Sequence, residues 1–246
     1  MPLYILDREN IKTRLSTDFN NYPSGIVIPL DKPYKWTSAD AVRKIKFMLQ
    51  NFFKIRNIKV GHAGTLDPLA TGILLICAGH ATKEAEKLQQ EEKEYLAEIT
   101  FGCTTPSFDK EKEIDAYFPY EHIDKQLIEK SLRKFIGEQD QIPPLFSAKL
   151  VDGKRAYEIA RSGNSMELKP SKITISELNI VSYEKPLLVL QIRCSKGTYI
   201  RSLARDLGYS LESGAYLSGL VRTSTGIFNL RNSVKIEEIE SLLKQI

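Results

Sequence analysis

Twelve consecutive residues, Gly61-His62-Ala63-Gly64-Thr65-Leu66-Asp67-Pro68-Leu69-Ala70-Thr71-Gly72, place one carboxylate between a glycine-rich approach and a Pro-x-Ala-Thr-Gly exit. The apolar run Ile73-Leu74-Leu75-Ile76-Cys77-Ala78 follows. A carboxylate on a tight loop at the mouth of a buried strand can be aimed into a cleft, where its ionised form serves as nucleophile or base. Gly61, Gly64 and Gly72 are expected to supply backbone angles and close approaches that side chains forbid. Pro68 fixes its own φ and turns Asp67 toward an extended conformation. By itself an Asp-Pro pair is most often a turn or a helix N-cap, and Gly-x-x-Gly matches many loops. The whole string is much rarer than its parts.

The rest of the composition narrows what that carboxylate serves. A chain of 246 residues with 42% hydrophobic and 27% charged content is an ordinary globular protein with one large core or two modest ones. The apolar run Ile73–Ala78 is too short to span a bilayer. The start, Met1-Pro2-Leu3-Tyr4-Ile5-Leu6-Asp7-Arg8-Glu9, lacks a basic region leading into an apolar stretch, so no secretory signal is expected. Cys77, Cys103 and Cys194 are odd in number and far apart, which argues against a disulfide framework. They show no metal-ligand spacing with His62, His80 or His122. The expectation is a cytoplasmic protein that binds no metal. A hydrolase built on Cys77 and His80 is rejected, because Cys77 sits inside the apolar run as a core thiol.

The elements around the loop are those of an α+β protein with a mostly antiparallel sheet. Asp40 to Lys54 reads as a helix with Val42, Ile45, Leu49, Phe52 and Phe53 on one apolar stripe and Ser38 as its cap. A second helix is expected from Thr82, as cap, to about Gln90. A third is expected from Asp124 to Ile136, burying Leu127, Ile128, Leu132, Phe135 and Ile136 and stopping at Gly137. Strands are predicted at Tyr95–Phe101, Ile173–Val181 and Leu187–Cys194, with Tyr95, Ala97, Ile99 and Phe101 sharing a face. A helix is predicted from Ile200 to Gly208, and another in the tail from Val234 to Ile246 with Ser233 as cap.

Charge is unevenly spread over a net +4. Lys32, Lys35, Arg43, Lys44, Lys46, Lys54, Arg56 and Lys59 face Asp40 alone between Lys32 and Val60, a density that suits either a phosphate backbone or a solvated helix face. Gln141 to Gly163 interleaves Lys149, Lys154, Arg155 and Arg161 with Phe146 and Tyr157, a mixture able to contact phosphates and stack on bases.

The string around Asp67 resembles the signature loop of the TruB-type tRNA pseudouridine synthases, G-H-x-G-x-L-D-P-x-A-T-G. The likeness runs from about Gly25 to Phe228. Leu30-Asp31-Lys32-Pro33 and Trp36-Thr37-Ser38 are similar to the family's D-K-P-x-G-x-T-S, with Lys35 at the usual glycine. Glu94-Tyr95-Leu96-Ala97 resembles the strand that bears the active-site tyrosine. Gln141-x-Pro143-Pro144, Ser147-Ala148 and Gly153-Lys154-Arg155-Ala156-Tyr157-Glu158 resemble the RNA-gripping insertion, with the usual Ser-Ala-x-Lys lysine displaced by one place to Lys149. Lys196-Gly197-Thr198-Tyr199-Ile200-Arg201 resembles G-T-Y-I-R. Leu220, Arg222, Thr223, Gly226 and Phe228 fit L-R-R-T-x-x-G-x-F, with Val221 in place of the first arginine. Many members continue into a C-terminal PUA-type RNA-binding domain. Here the short tail suggests a single catalytic domain over residues 1–246, with a mobile RNA-binding insertion at 141–163, a C-terminal helix within 232–246 and no PUA domain.

That resemblance implies the pseudouridine synthase fold and a cofactor-independent isomerisation of uridine at position 55, in the TΨC loop of tRNA, by a protein expected to be a monomer. It implies Asp67 as the catalytic carboxylate, Arg201 as the cation that offsets its desolvation, and Tyr95 stacking on the target base. It further implies Tyr199, Leu220 and Lys32 as substrate-binding residues, and His62 as the side chain that fills the space left by the flipped base. Lys44, Lys46, Lys154 and Arg155 are the candidates for the RNA backbone. A competing expectation is a non-catalytic RNA-binding protein that uses Gly61-x-x-Gly64 as a clamp.

Overall fold

The computed structural model describes residues 3–11, 15–147, 150–151, 154–155 and 168–244. The chain divides into two compact units, Met1–Glu94 with Val221–Ile246, and Tyr95–Leu220. Both are α+β, as the sequence suggests.

The first unit is built on strands β1 (Tyr4–Ile5), β2 (Ile26–Lys32), β3 (Val60–Ala63) and β4 (Thr71–Ala78), with helices α1 (Ser38–Phe53) and α2 (Ala85–Gln90). β4 pairs antiparallel with β2 along its length, Lys32 opposite Gly72 and Ile26 opposite Ala78. β3 pairs with the far half of β4, Ala63 opposite Leu75. Ile73 to Ala78 are wholly buried, so β4 is covered on both faces and reads as a continuous apolar run rather than an alternation. Val27, Ala63, Ile73, Leu75 and Cys77 form one face of this core, against which Ala85 and Leu88 of α2 pack. α1 packs on β3 and β4.

α1 is capped by Thr37, not Ser38. The Thr37 hydroxyl accepts the Asp40 N–H while the Asp40 carboxylate accepts the Thr37 N–H, a reciprocal box that leaves Ser38 free to turn inward. Ile45, Leu49, Phe52 and Phe53 are buried as expected, and Phe53 meets Phe19 edge-on at 4.8 Å. The expected helix from Thr82 begins later. Gly79–Glu84 forms a 3₁₀ segment in which the Thr82 hydroxyl donates back to the Gly79 carbonyl (2.7 Å), and the α-helix starts at Ala85.

The second unit contains β5 (Lys93–Phe101, from Tyr95 onward), β6 (Cys103–Thr104), β7 (Ala116–Tyr117), α3 (Lys125–Leu132), β8 (Gly137–Gln141), β9 (Leu150–Val151), β10 (Lys154–Arg155), β11 (Ser171–Glu184), β12 (Leu187–Cys194), α4 (Ile200–Ser210) and β13 (Ala215–Thr225, as far as Leu220). Here the strand order is β13-β5-β12-β11-β8, with β11 antiparallel to both neighbours. Tyr95, Ala97, Ile99 and Phe101 share the buried face of β5. α3 is shorter than expected. Asp124 caps it by accepting the Leu127 N–H (2.8 Å), and Arg133–Phe135 tightens into a 3₁₀ turn. Of the five side chains expected inside, Ile128 and Leu132 are buried, whereas Leu127 and Ile136 are exposed.

β13 continues into the first unit, where Val221 and Arg222 pair in parallel with Thr71 and Gly72. β14 (Phe228–Asn229) folds back on it, and α5 (Ile236–Lys244) buries Ile236, Ile239 and Leu242. Ser233 does not cap α5: its hydroxyl donates to the Leu230 carbonyl (2.8 Å), and Glu238 accepts the Lys235 N–H instead. No helix among the described residues is long and apolar enough to cross a membrane. Cys77, Cys103 and Cys194 are free and buried, and burial pushes the Cys77 thiol up to about 11.

Candidate active site

Asp67 sits on the seven-residue connection from β3 to β4. Leu66 and Ala70 on either side of it are buried, and Asp67 itself is half-buried. The Ala70 N–H donates to the Asp67 carbonyl (3.1 Å) and closes the turn. Two apolar anchors thus present the carboxylate between them. Gly64 has φ +90° and Gly72 φ +97°. A Cβ on Gly72 would collide with the Arg222 carbonyl of the paired strand, so only glycine fits there. Gly61 behaves otherwise than expected. It lies in β3 with ordinary backbone angles and open space where a Cβ would stand.

Three buried polar side chains grip this connection by its backbone. The Ser38 hydroxyl donates to the Leu66 carbonyl (3.0 Å) and accepts the Leu66 N–H (2.9 Å). Arg222, 2% exposed, donates from Nε to the Ile73 carbonyl (2.6 Å), from Nη2 to Gly64 (3.0 Å) and from Nη1 to Thr65 (3.4 Å). Lys32, wholly buried, directs its ammonium to the carbonyls of Trp36 (2.6 Å), Pro33 (2.9 Å) and Pro68 (3.5 Å). A buried cation is tolerable only when its protons are used, and those of Lys32 go to the Pro33–Trp36 turn and, at Pro68, to the Asp67 connection.

Burial lowers the Lys32 ammonium to about 8. The Asp67 charge opposes that shift and the Arg222 charge adds to it. Below about pH 8 Lys32 is charged in both folded and unfolded chains, and the burial cost is present in full. Between about 8 and its ordinary 10.5 the unfolded chain holds the proton and the folded chain does not, so this contribution rises with pH. We expect wild type to gain on Lys32→Met in that window by at most about 1.4 kcal/mol per pH unit. Denaturant unfolding at stepped pH measures it, and parallel curves would contradict it.

His62, on β3 beneath the same connection, is half-buried. Its Nδ1 is buried with no hydrogen-bond partner among the described residues. Burial and then the Arg222 charge lower its pKa, so the ring is neutral at neutral pH.

The second unit holds the other expected residues. Tyr95 opens its part of β5 and is buried, and half-buried Leu220 ends its part of the neighbouring strand β13. Tyr199 is the N-cap of α4. The Gln141 side chain accepts its N–H (2.8 Å) and donates to its carbonyl (3.1 Å), which fixes where the helix begins. Two residues on, Arg201 is 4% exposed. Its Nη1 donates to the Phe146 carbonyl (3.0 Å), and its Nε lies 3.7 Å from the Asp109 carboxylate. Asp109 is held by the Ser107 hydroxyl (2.6 Å) and the Glu111 N–H (2.9 Å). Sequence reasoning missed Asp109, the hold of Gln141 on Tyr199 and the loop-holding roles of Ser38 and Arg222.

Of the expected backbone contacts, Lys44 lies 3.7 Å from Glu240, and Lys46 is half-exposed on α1. Lys154 and Arg155 form strand β10, paired with β9. Within the expected insertion, residues 148–149, 152–153 and 156–163, with Ala148, Lys149, Gly153, Tyr157, Arg161 and Gly163 among them, lie outside the described residues.

Residues 50–200 match the TruB family pseudouridylate synthase (N terminal domain). The chain is 50% identical over 225 residues to tRNA pseudouridine synthase B of Phocaeicola vulgatus, covering 92% of this chain and 96% of that protein. It is 48% identical to the protein of the same name from Flavobacterium johnsoniae, covering 91% and 98%. Among solved structures it is similar to a Cbf5-Nop10-Gar1 complex (TM-score 0.67, 26% identity) and to an H/ACA RNP bound to a substrate RNA containing 2'-deoxyuridine (TM-score 0.64, 25% identity). It covers 89% of itself in both, and spans about half the length of those chains, 54% and 53%. A carboxylate loop held by buried Ser38, Lys32 and Arg222, in a sequence that matches this family over most of its length, makes the chain a member of the TruB family of pseudouridine synthases.

Proposed function

We propose that this protein isomerises uridine to pseudouridine at position 55 in the TΨC loop of tRNA. The observation that supports it best is the Asp67 loop, a half-buried carboxylate on a backbone held at Gly64, Thr65, Leu66 and Pro68 by buried side chains. Such pre-set geometry suits a group that must meet one atom of a flipped nucleotide.

The reaction breaks N1–C1′, turns the base and joins C5 to C1′. The C5 proton is lost and N1 is protonated, so atoms and electrons balance without a cofactor. Asp67 acts as nucleophile at C1′ or as base at C2′. Tyr95 stacks on the base, Tyr199 and Leu220 line its pocket, and neutral His62 fills the vacated stack. Lys32 works from beneath, meeting the loop at the Pro68 carbonyl. A tRNA substrate supports a cytoplasmic location for the protein.

Arg201, buried and held by the Phe146 carbonyl and Asp109, is the second catalytic residue of this reading, a fixed cation for the reacting nucleotide. Arg201→Ala should slow single-turnover conversion about 10²–10³-fold, and an unchanged rate would remove it from the mechanism. For the whole reading, an unmodified tRNA transcript is incubated with the protein and its pseudouridines are mapped by carbodiimide and primer extension. One modification at position 55 is expected. Tight binding with no modification would make this an RNA-binding protein instead.

A further inference from the structure

We propose that Tyr34 and Lys35 form an RNA contact, with the Lys35 ammonium on a backbone phosphate and the Tyr34 ring against the adjoining nucleoside. This rests on the reading above that the protein acts on RNA.

The turn Pro33–Trp36 is fixed from below and open above. The buried Lys32 ammonium holds the carbonyls of Pro33 and Trp36, and the Lys35 N–H donates to the Pro68 carbonyl (2.8 Å), one residue past Asp67. What the turn presents outward is Tyr34, 51% exposed, and Lys35, whose ammonium lies 5.8 Å from the Tyr34 ring centre. Lys35 has φ +66°, a left-handed conformation that disfavours every residue but glycine. A strained non-glycine residue kept at such a point is a reason to look for work done by its side chain.

The surroundings favour an anion. Lys35, Trp36, Asp40 and Lys44 line one shallow hollow in the first unit. The Asp40 carboxylate there is occupied by the Thr37 N–H and hydroxyl and by Arg43, while Lys44 is shared with Glu240. A nucleotide delivered to Asp67 brings phosphates on both sides of its ribose, and the lysine tethered to Pro68 is placed to meet one. A cation beside exposed aromatic rings is the pairing that binds single-stranded RNA.

Lys35→Gly removes the charge and relieves the backbone, so the variant should unfold at the wild-type temperature or above it. Lys35→Ala removes the charge and keeps the strain. Both should bind a TΨC stem-loop carrying pseudouridine, which cannot turn over, roughly 3- to 10-fold more weakly than wild type near 0.1 M salt. Their plots of log affinity against log salt should be shallower by about 0.7–0.9, one phosphate's worth, and Lys35→Arg should restore the slope. Tyr34→Ala should weaken binding without changing the slope. Wild-type affinity and slope in both Lys35→Gly and Lys35→Ala would overturn the contact. Binding is read apart from turnover, so a wild type that grips the stem-loop but modifies no tRNA overturns the proposed function alone.

Discussion

Asp67→Asn should abolish turnover, by at least about 10⁴-fold, while leaving tRNA affinity within about threefold of wild type. Asparagine keeps the shape of aspartate and loses its charge, so it can neither attack C1′ nor take a proton from C2′. The loop should keep its form in the variant. Ser38 grips Leu66, Lys32 grips Pro68 and Arg222 grips Gly64 and Thr65, in every case through backbone atoms. An independent sign of the lost charge should appear at Lys32. The Asp67 carboxylate holds that ammonium up against burial, so the rise of stability above about pH 8 should begin at lower pH in Asp67→Asn. Single-turnover rates and equilibrium binding measure the first claim, and pH-stepped unfolding the second. A variant with wild-type rates would exclude Asp67 from the chemistry.

Arg222→Ala should be the most damaging change away from the reacting atoms. It strips donors from three carbonyls, those of Ile73, Gly64 and Thr65, at a site 2% exposed. A buried carbonyl without its donor costs about 1–3 kcal/mol, and three that relax together should cost roughly 3–5 kcal/mol of stability. Loss of turnover in such a variant could reflect misfolding alone, so Arg222→Lys is the informative partner. Lysine keeps the charge but has no planar fork to bridge β4 and the start of the loop at once. We expect it to fold with a smaller stability loss, to bind tRNA nearly as wild type does, and to turn over at least about tenfold more slowly, because the Asp67 loop has lost one of its three grips. Denaturant unfolding and single-turnover assays measure both variants. Wild-type turnover in Arg222→Lys would show that the loop needs no clamp from β13.

The carboxylate proposed to react is legible because its loop is dense in residues with sharp backbone meaning. The grips beneath it were not, because each is a polar side chain whose partner is a distant carbonyl. Ser38 reads as a helix cap until Thr37 and Asp40 are seen to form the box without it. Arg222 reads as one more basic residue until β13 is laid beside Gly72. β13 itself escaped notice because Ser218 and Gly219 break its alternation. From Tyr95 onward one face of β5 is uniformly apolar, and there the pattern alone sufficed. The third helix shows the opposite error. Leu127 and Ile136 continue its apolar period, yet Leu127 lies on the exposed face of the first turn, and Ile136 falls beyond the helix, which ends at Leu132.

The most direct test uses a TΨC stem-loop tritiated at uridine C5, incubated with wild type and with Asp67→Asn, with neither cofactor nor metal added. Forming the new bond at C5 must release that hydrogen to water. Release of one equivalent per stem-loop by wild type, and none by Asp67→Asn under the same saturation, is the predicted result. Release by both proteins alike, or by neither although both bind the RNA, would contradict it.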